Sequence, residues 1–203
     1  MAPFDWKQAF KELYAPPRTP VLVTVPPMNF LMADGAGDPN SAPAYKEAVE
    51  ALYTVAYTLK FALKKAGGPE FSVMPLQGLW WAANMDAFLS GERSAWQWTM
   101  MIGQPEFVTP EQVESAIAAA GRKKSLPALP RVRFERFDEG ICAQVMHSGP
   151  YAAEGPTIAA LHAFIAQHGF GLRGKHHEIY LSDPNRTAPE KMKTIIRQPV
   201  SRE

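Results

Sequence analysis

The run His177-Glu178-Ile179-Tyr180-Leu181 carries the carboxylate best placed for chemistry. Strand-like alternation puts Glu178 and Tyr180 on one face and Ile179 and Leu181 on the other. If the Ile179 face meets the helices, Glu178 faces solvent and has no task. If Glu178 points into a cleft instead, burial raises its pKa, and the group can pair with a cation or transfer a proton. Periodicity leaves both placements open.

Aromatic side chains are the other concentrated signal. Of five tryptophans, four are Trp80, Trp81, Trp96 and Trp98, on two stretches expected to pair as strands. Alternation sends Trp80 and Trp81 to opposite faces and puts Trp96 and Trp98 on the same one. Each single indole is equally at home in a core, but the cluster suits a surface that stacks planar ligands. Tyr45, Tyr53 and Tyr57 lie roughly whole turns apart on a predicted helix, so two or more phenols could address one cavity.

Other candidate groups are weaker. His176 and His177 are adjacent, diverge in a strand, and have no thiol or carboxylate cluster to complete a metal site. Met146-His147-Ser148 sets a serine beside a histidine without a nucleophile elbow or spaced triad. Cys142, the only cysteine, reads as a small buried residue. No metal and no cofactor are expected.

The elements that must position these residues form two similar series. A short amphipathic helix is expected over 4–14, ending at Pro16-Pro17. Strands follow at 21–25 and 30–34, separated by Pro26-Pro27. A long helix begins after Ser41 as N-cap, with Pro43 in its first turn, and closes at Lys64, Lys65 and Gly67-Gly68. Residues 71–82 and 95–102 read as a strand pair joined by a polar connection containing Gly91 and Arg93. A helix starts at Thr109, with Gln112 completing a capping box, and stops at Gly121.

Past the proline-rich joint at 126–130, strands are expected at 132–137 and 141–147, with a turn at 138–140 between them. A helix over about 154–168 and strands at 176–181 and 193–200 complete the series. Ile102-Gly103-Gln104-Pro105 returns as Ile196-Arg197-Gln198-Pro199 at the end of the second series. These features predict an α+β fold built from two duplicated strand-strand-helix-strand-strand halves, 18–125 and 131–201. Antiparallel sheet with helices on one side and pseudo-two-fold symmetry would make the whole of 1–203 a single domain. A cleft where duplicated halves meet is a favoured place for a ligand.

Composition narrows the partners. The 203 residues are 46% hydrophobic and 20% charged, the balance of a chain that folds. Lys and Arg number 21 against 20 Asp and Glu, a net charge of +1, so nothing draws the chain toward a phosphate backbone and nucleic acid is not expected. No apolar stretch is long enough to span a bilayer, and the N-terminus lacks the pattern of a secretion signal. A lone cysteine fits a reducing compartment, so the cytoplasm is expected.

Several motifs in fixed order resemble the GyrI-like small-molecule-binding proteins. They are Phe4-Asp5-Trp6-Lys7 with Leu13-Tyr14, Val25-Pro26-Pro27-Met28, Gly35-Ala36-Gly37-Asp38-Pro39-Asn40 and Met74-Pro75-Leu76-Gln77-Gly78-Leu79-Trp80-Trp81. The stretch 98–108, His147-Ser148-Gly149-Pro150-Tyr151 and residues 176–184 continue the likeness over nearly the whole chain, in the branch without a DNA-binding domain.

The resemblance implies a duplicated fold with a pocket at the pseudo-two-fold and Glu178 pointing into it. In similar multidrug-sensing regulators the matching carboxylate meets aromatic cations. Some stand-alone members are similar to hydrolases that open the cyclopropane of DNA-alkylating natural products, and the family name suggests docking onto a topoisomerase. The position of Gln77 is commonly a glutamate in this branch, and an amide is neither acid nor base.

The expectation is therefore a binder of small planar apolar or cationic molecules, in sensing or detoxification. A cyclopropanoid cyclopropyl hydrolase or a protein-interaction module are the alternatives. Glu178, Tyr53 and Tyr57 are the expected catalytic groups. Tyr45, Gln77, Trp80, Trp81 and Trp98, with Met146 and Tyr180, are the expected ligand contacts.

Overall fold

The computed structural model describes residues 3–82 and 93–202. In chain order the elements are α1 (Trp6–Ala9), α2 (Lys11–Tyr14), β1 (Val21–Val25), β2 (Met28–Ala36), α3 (Pro43–Lys65), β3 (Leu76–Ala82) and β4 (Trp96–Gln104). They continue with α4 (Pro110–Lys123), β5 (Arg133–Phe137), β6 (Gly140–Ser148), α5 (Gly155–Gln167), β7 (Phe170–Leu172), β8 (His176–Tyr180) and β9 (Lys193–Arg202). The expected connection at Gly91 lies outside the described residues.

Contacts divide the chain into two compact units, Met1–Asp5 with Met28–Phe137 and Trp6–Pro27 with Asp138–Glu203. The division differs from the contiguous halves 18–125 and 131–201. β1 pairs with β6, and β5 pairs with β2, so the strand that opens each half is built into the other unit. The physical reason is visible between β1 and β2. Pro26-Pro27 offers no backbone donor and forces extended backbone, so no hairpin can close there.

In the first unit β3, β4, β2 and β5 form antiparallel neighbours in that order, and α3 lies across β2 and β4. The long helix buries Ala48, Ala51, Leu52, Val55, Ala56, Leu59 and Leu63, a stripe of helical period. Its N-cap is Ala42 rather than Ser41, and no side chain caps it. The Asp38 carbonyl instead accepts from the Ser41 and Ala42 amides, which shapes the approach. The capping box of Thr109 and Gln112 forms as expected, but α4 runs through Gly121 to Lys123. Strand structure begins only at Leu76, because Phe71 makes a single parallel bridge to Phe4 and packs edge-on against Phe107.

In the second unit β1, β6, β9 and β8 are antiparallel neighbours, with β7, which no sequence signal marked, on the end of β9. The expected N-terminal helix breaks in two at Phe10, whose ring packs with Trp6 at 5.3 Å. The core beneath α5 is Ala143, Val145, Leu161, Ile165, Ile196 and Val200.

The opposite face of this sheet holds a buried charge cluster. Arg197 donates to Gln144 Oε1 at 3.0 Å, Glu139 Oε2 at 3.1 Å and the Leu13 carbonyl at 2.8 Å. Gln144 donates to the Glu12 carbonyl at 2.7 Å, so the pair secures α2 to the sheet. His177 Nδ1 lies 2.7 Å from Glu139 Oε1. Burial alone would raise the Glu139 carboxyl, but the charges of His177 and Arg197 and their hydrogen bonds outweigh it and hold it down at about 2. Within the duplicated motif Gly103 stands where Arg197 does, so the cluster belongs to the second unit alone.

A carboxylate with a depressed folded pKa adds stability above its unfolded value, and that stability is lost as pH falls toward the folded one. The protein is therefore expected to lose stability as pH drops from about 4.5 toward about 2. Glu139→Gln, which leaves Arg197 buried without its counter-charge, is expected to lose about 3–5 kcal/mol in urea unfolding at neutral pH. An unchanged unfolding midpoint would contradict this account of the cluster.

Candidate functional site

Strand register decides which face Glu178 occupies. Glu178 sits opposite Ile196 of β9, which sits opposite Val145 of β6, and both belong to the core under α5. The face that meets the helix is thus the Glu178 face. Ile179 and His177, on the other face, are buried as well, His177 against Glu139. Both faces of β8 are covered, and Glu178 retains only 15% side-chain exposure.

The carboxylate is gripped from its own strand. Tyr180 donates its hydroxyl to Glu178 Oε2 at 2.8 Å, and His176 Nε2 lies 3.2 Å from Oε1. Residues two apart share a face of a strand, so His176, Glu178 and Tyr180 form a row without help from elsewhere. Tyr151 stands edge-on to Tyr180 with ring centres 5.5 Å apart.

A second carboxyl completes the group, and the sequence reading missed it. Glu154 occupies the N-cap of α5 but makes no side-chain cap hydrogen bond. Its carboxyl is turned inward to hydrogen-bond with Glu178 and is 4% exposed. Burial first, and then the negative charge of Glu178, push the Glu154 pKa up to about 9. Glu178 moves the other way: burial opposes it, but His176, Tyr180 and Glu154 together hold it below the ordinary value. Two carboxyls in contact cannot both be ionised cheaply, so at neutral pH they share one proton and one negative charge.

His162 of α5 stands near this group, its pKa lowered by burial and then by His176, with Nε2 lacking a hydrogen-bond partner. Glutamate directly ahead of Gly155-Pro156 reads in sequence as an ordinary helix-start acid. Only the missing cap bond betrays its other task.

The remaining predicted residues are distributed as follows. Met146 is opposite Ile195, which is opposite Ile179, so it lies on the sheet face away from Glu178. In the first unit Tyr45 stacks on Trp80 at 6.1 Å and meets Trp98 edge-on at 5.4 Å. Gln77 and Trp81 are on the opposite face of β3, Gln77 fully buried and Trp81 half-buried. Tyr53 and Tyr57 stack at 6.3 Å and line an open groove of about 580 Å³ between α3 and α4, with Thr54, Phe61 and Lys123. Glu178 is not among that groove's lining residues; the phenol that reaches it is Tyr180.

Gly35 explains how the aromatic cluster fits. It lies directly across from Trp98, which pairs with Trp80, and a Cβ on Gly35 would come within 2.1 Å of the Trp98 indole. The wholly buried indole therefore lies over bare backbone.

The fold is an α+β arrangement in two units, each with an antiparallel sheet. The pattern of the GyrI-like small molecule binding domain matches residues 18–201, and the chain belongs to that family. It is similar to a conserved protein from Listeria innocua, at 46% identity and a TM-score of 0.91 over 98% of this chain and 100% of that one. A hydrolase from Listeria innocua is 44% identical, with a TM-score of 0.86 over the same shares. The C-terminal domain of EcmrR, at 11% identity and a TM-score of 0.58 over 91% of this chain and 98% of that one, is alike in fold alone. No curated protein matches the chain. No helix among the described residues is long and apolar enough to cross a membrane.

Two outcomes follow from this geometry. Gly35→Ala is expected to destabilise by about 1–3 kcal/mol through overpacking against Trp98 and to alter the near-ultraviolet circular dichroism of the indoles. A carboxyl whose folded pKa is raised contributes stability that is complete below the unfolded value and is lost as pH climbs through the folded one. Glu154→Gln, which mimics the protonated form, should melt close to the parent at pH 5 and roughly 4–8 °C above it at pH 9, equivalent to about 2 kcal/mol. Equal melting temperatures at pH 9 would show that Glu154 carries no such burden.

Proposed function

We propose that this protein captures small, flat cations, with Glu178 as their counter-charge and the rings of Tyr180 and Tyr151 beside it, in a xenobiotic sensing or detoxifying role. The observation that carries the reading is a buried carboxylate kept ionised by Tyr180 and His176. A desolvated charge attracts a cation far more strongly than an exposed one, and aromatic faces add cation–π attraction. Tyr151, 39% exposed, supplies a ring at the solvent edge of the group. The family's small-molecule binding supports the same reading.

Ethidium, a planar cation with intrinsic fluorescence, tests it. Binding measured by anisotropy is expected to weaken at least about 30-fold in Glu178→Gln, equivalent to about 2 kcal/mol for the lost charge. Equal affinity in parent and variant would remove Glu178 from the binding role.

A second reading is favoured by the contrast between the two carboxyls, one protonated and one ionised in the same site. An acid and a base so placed suit hydrolytic opening of the strained cyclopropane in DNA-alkylating natural products, and a relative 44% identical is named a hydrolase. Glu178 would take a proton from the attacking water, and Glu154 would give its proton to the conjugated carbonyl oxygen. The cyclopropane C–C bond breaks and the water oxygen bonds to the released carbon. Loss of a cyclopropane-bearing alkylator, followed by chromatography, should then slow by about 10²- to 10⁴-fold in Glu154→Gln. An unchanged rate would eliminate Glu154 as the acid.

A further inference from the structure

Glu154 does more than stand beside a fixed counter-charge. It hydrogen-bonds with Glu178 through a proton that would otherwise belong to bulk water, and its Oε1 is buried without a full hydrogen-bond partner. Thr194, on β9 across from Tyr180, hydrogen-bonds to the Glu154 carboxyl from the other side. The proton is held there because two negative charges cannot coexist in so dry a place. A ligand that brings positive charge to Glu178 removes that reason.

We propose that a cation seated against Glu178 ejects the proton shared by Glu154 and Glu178, so that binding is coupled to proton release and tightens as pH rises. The inference rests on the cation-binding reading above. The balance is simple: the protonated site and the cation give the cation complex and one proton, which passes to solvent. A positive charge within about 4–6 Å lowers a carboxyl pKa by about 1–3 units. Linkage requires that losing the proton strengthen cation binding by the same factor.

The site thus presents one negative charge before the cation arrives and two after it. Other groups face the pair and must be separated from it. They are His176 and Tyr180 on β8, His162 on α5, His147 on β6 with Nδ1 2.9 Å from Thr157 Oγ1, and Tyr151 ahead of the helix. Burial lowers the pKa of His162, which leaves it no proton to give above neutral pH. Glu154→Gln separates the rest, because glutamine keeps the shape and polarity of the carboxylic acid but has no proton to lose.

Calorimetric titration of the full chain with ethidium at pH 8, in phosphate and in Tris, reads the proton directly, since the two buffers differ in heat of ionisation. The parent is expected to release roughly 0.5–1 proton per ethidium bound and to bind roughly tenfold tighter at pH 9 than at pH 6.5. Glu154→Gln is expected to release none and to bind equally at both pH values. Ethidium binding by the parent without proton release would overturn the coupling and leave the cation site standing. Release retained in Glu154→Gln would also overturn it, by assigning the proton to a histidine. A parent that binds no ethidium at either pH would overturn the cation reading itself, and this inference with it.

Discussion

Negative charge in a dry place is the constraint on which the second unit is organised. A buried carboxylate must find a counter-charge, find hydrogen-bond donors, or take up a proton. The sheet of this unit uses all three solutions on its two faces. On one, Glu139 meets Arg197 and His177 and stays ionised. On the other, Glu178 is held by Tyr180 and His176 while Glu154 accepts a proton.

The two faces have different consequences. Glu139 has satisfied partners and holds α2 in place through Arg197 and Gln144, so its charge is structural. The Glu154 and Glu178 pair is held instead by His176, Tyr180 and a proton, with no arginine or lysine among the groups that shift it. Adjacent residues of β8, His177 and Glu178, serve these two ends because a strand turns successive side chains to opposite faces. The helix above the pair contributes as well. α5 brings Glu154 to the strand row at its N-cap and His162 two turns later.

Much of the architecture was legible. Proline and glycine breaks and the Thr109 capping box are local signals, and local hydrogen bonding decides them. Strand exchange was not legible, since nothing local to β1 or β5 names its partner and only pairing energy across the fold selects β6 and β2. Among the candidate site residues, Glu178 and Tyr180 were found together because their spacing is that of one strand face. That Met146 lies on the face away from them was not legible, because its face depends on a register set two strands away. Glu154 was passed over because an acid at a helix start has an ordinary explanation that sequence cannot set aside.

By itself the sequence determined most of the α+β element order, the shared face of Glu178 and Tyr180, and the membership of a small-molecule-binding family, since all three are written in short-range spacing and motif order. The tertiary structure alone decided that the Glu178 face lies beneath α5, that the Glu154 carboxyl turns inward to meet Glu178, and that burial there raises the Glu154 pKa. The physical reason is that protonation state depends on burial and on charges a few ångströms away. Those neighbours are separated by tens of residues along the chain and meet only when the strands are in register.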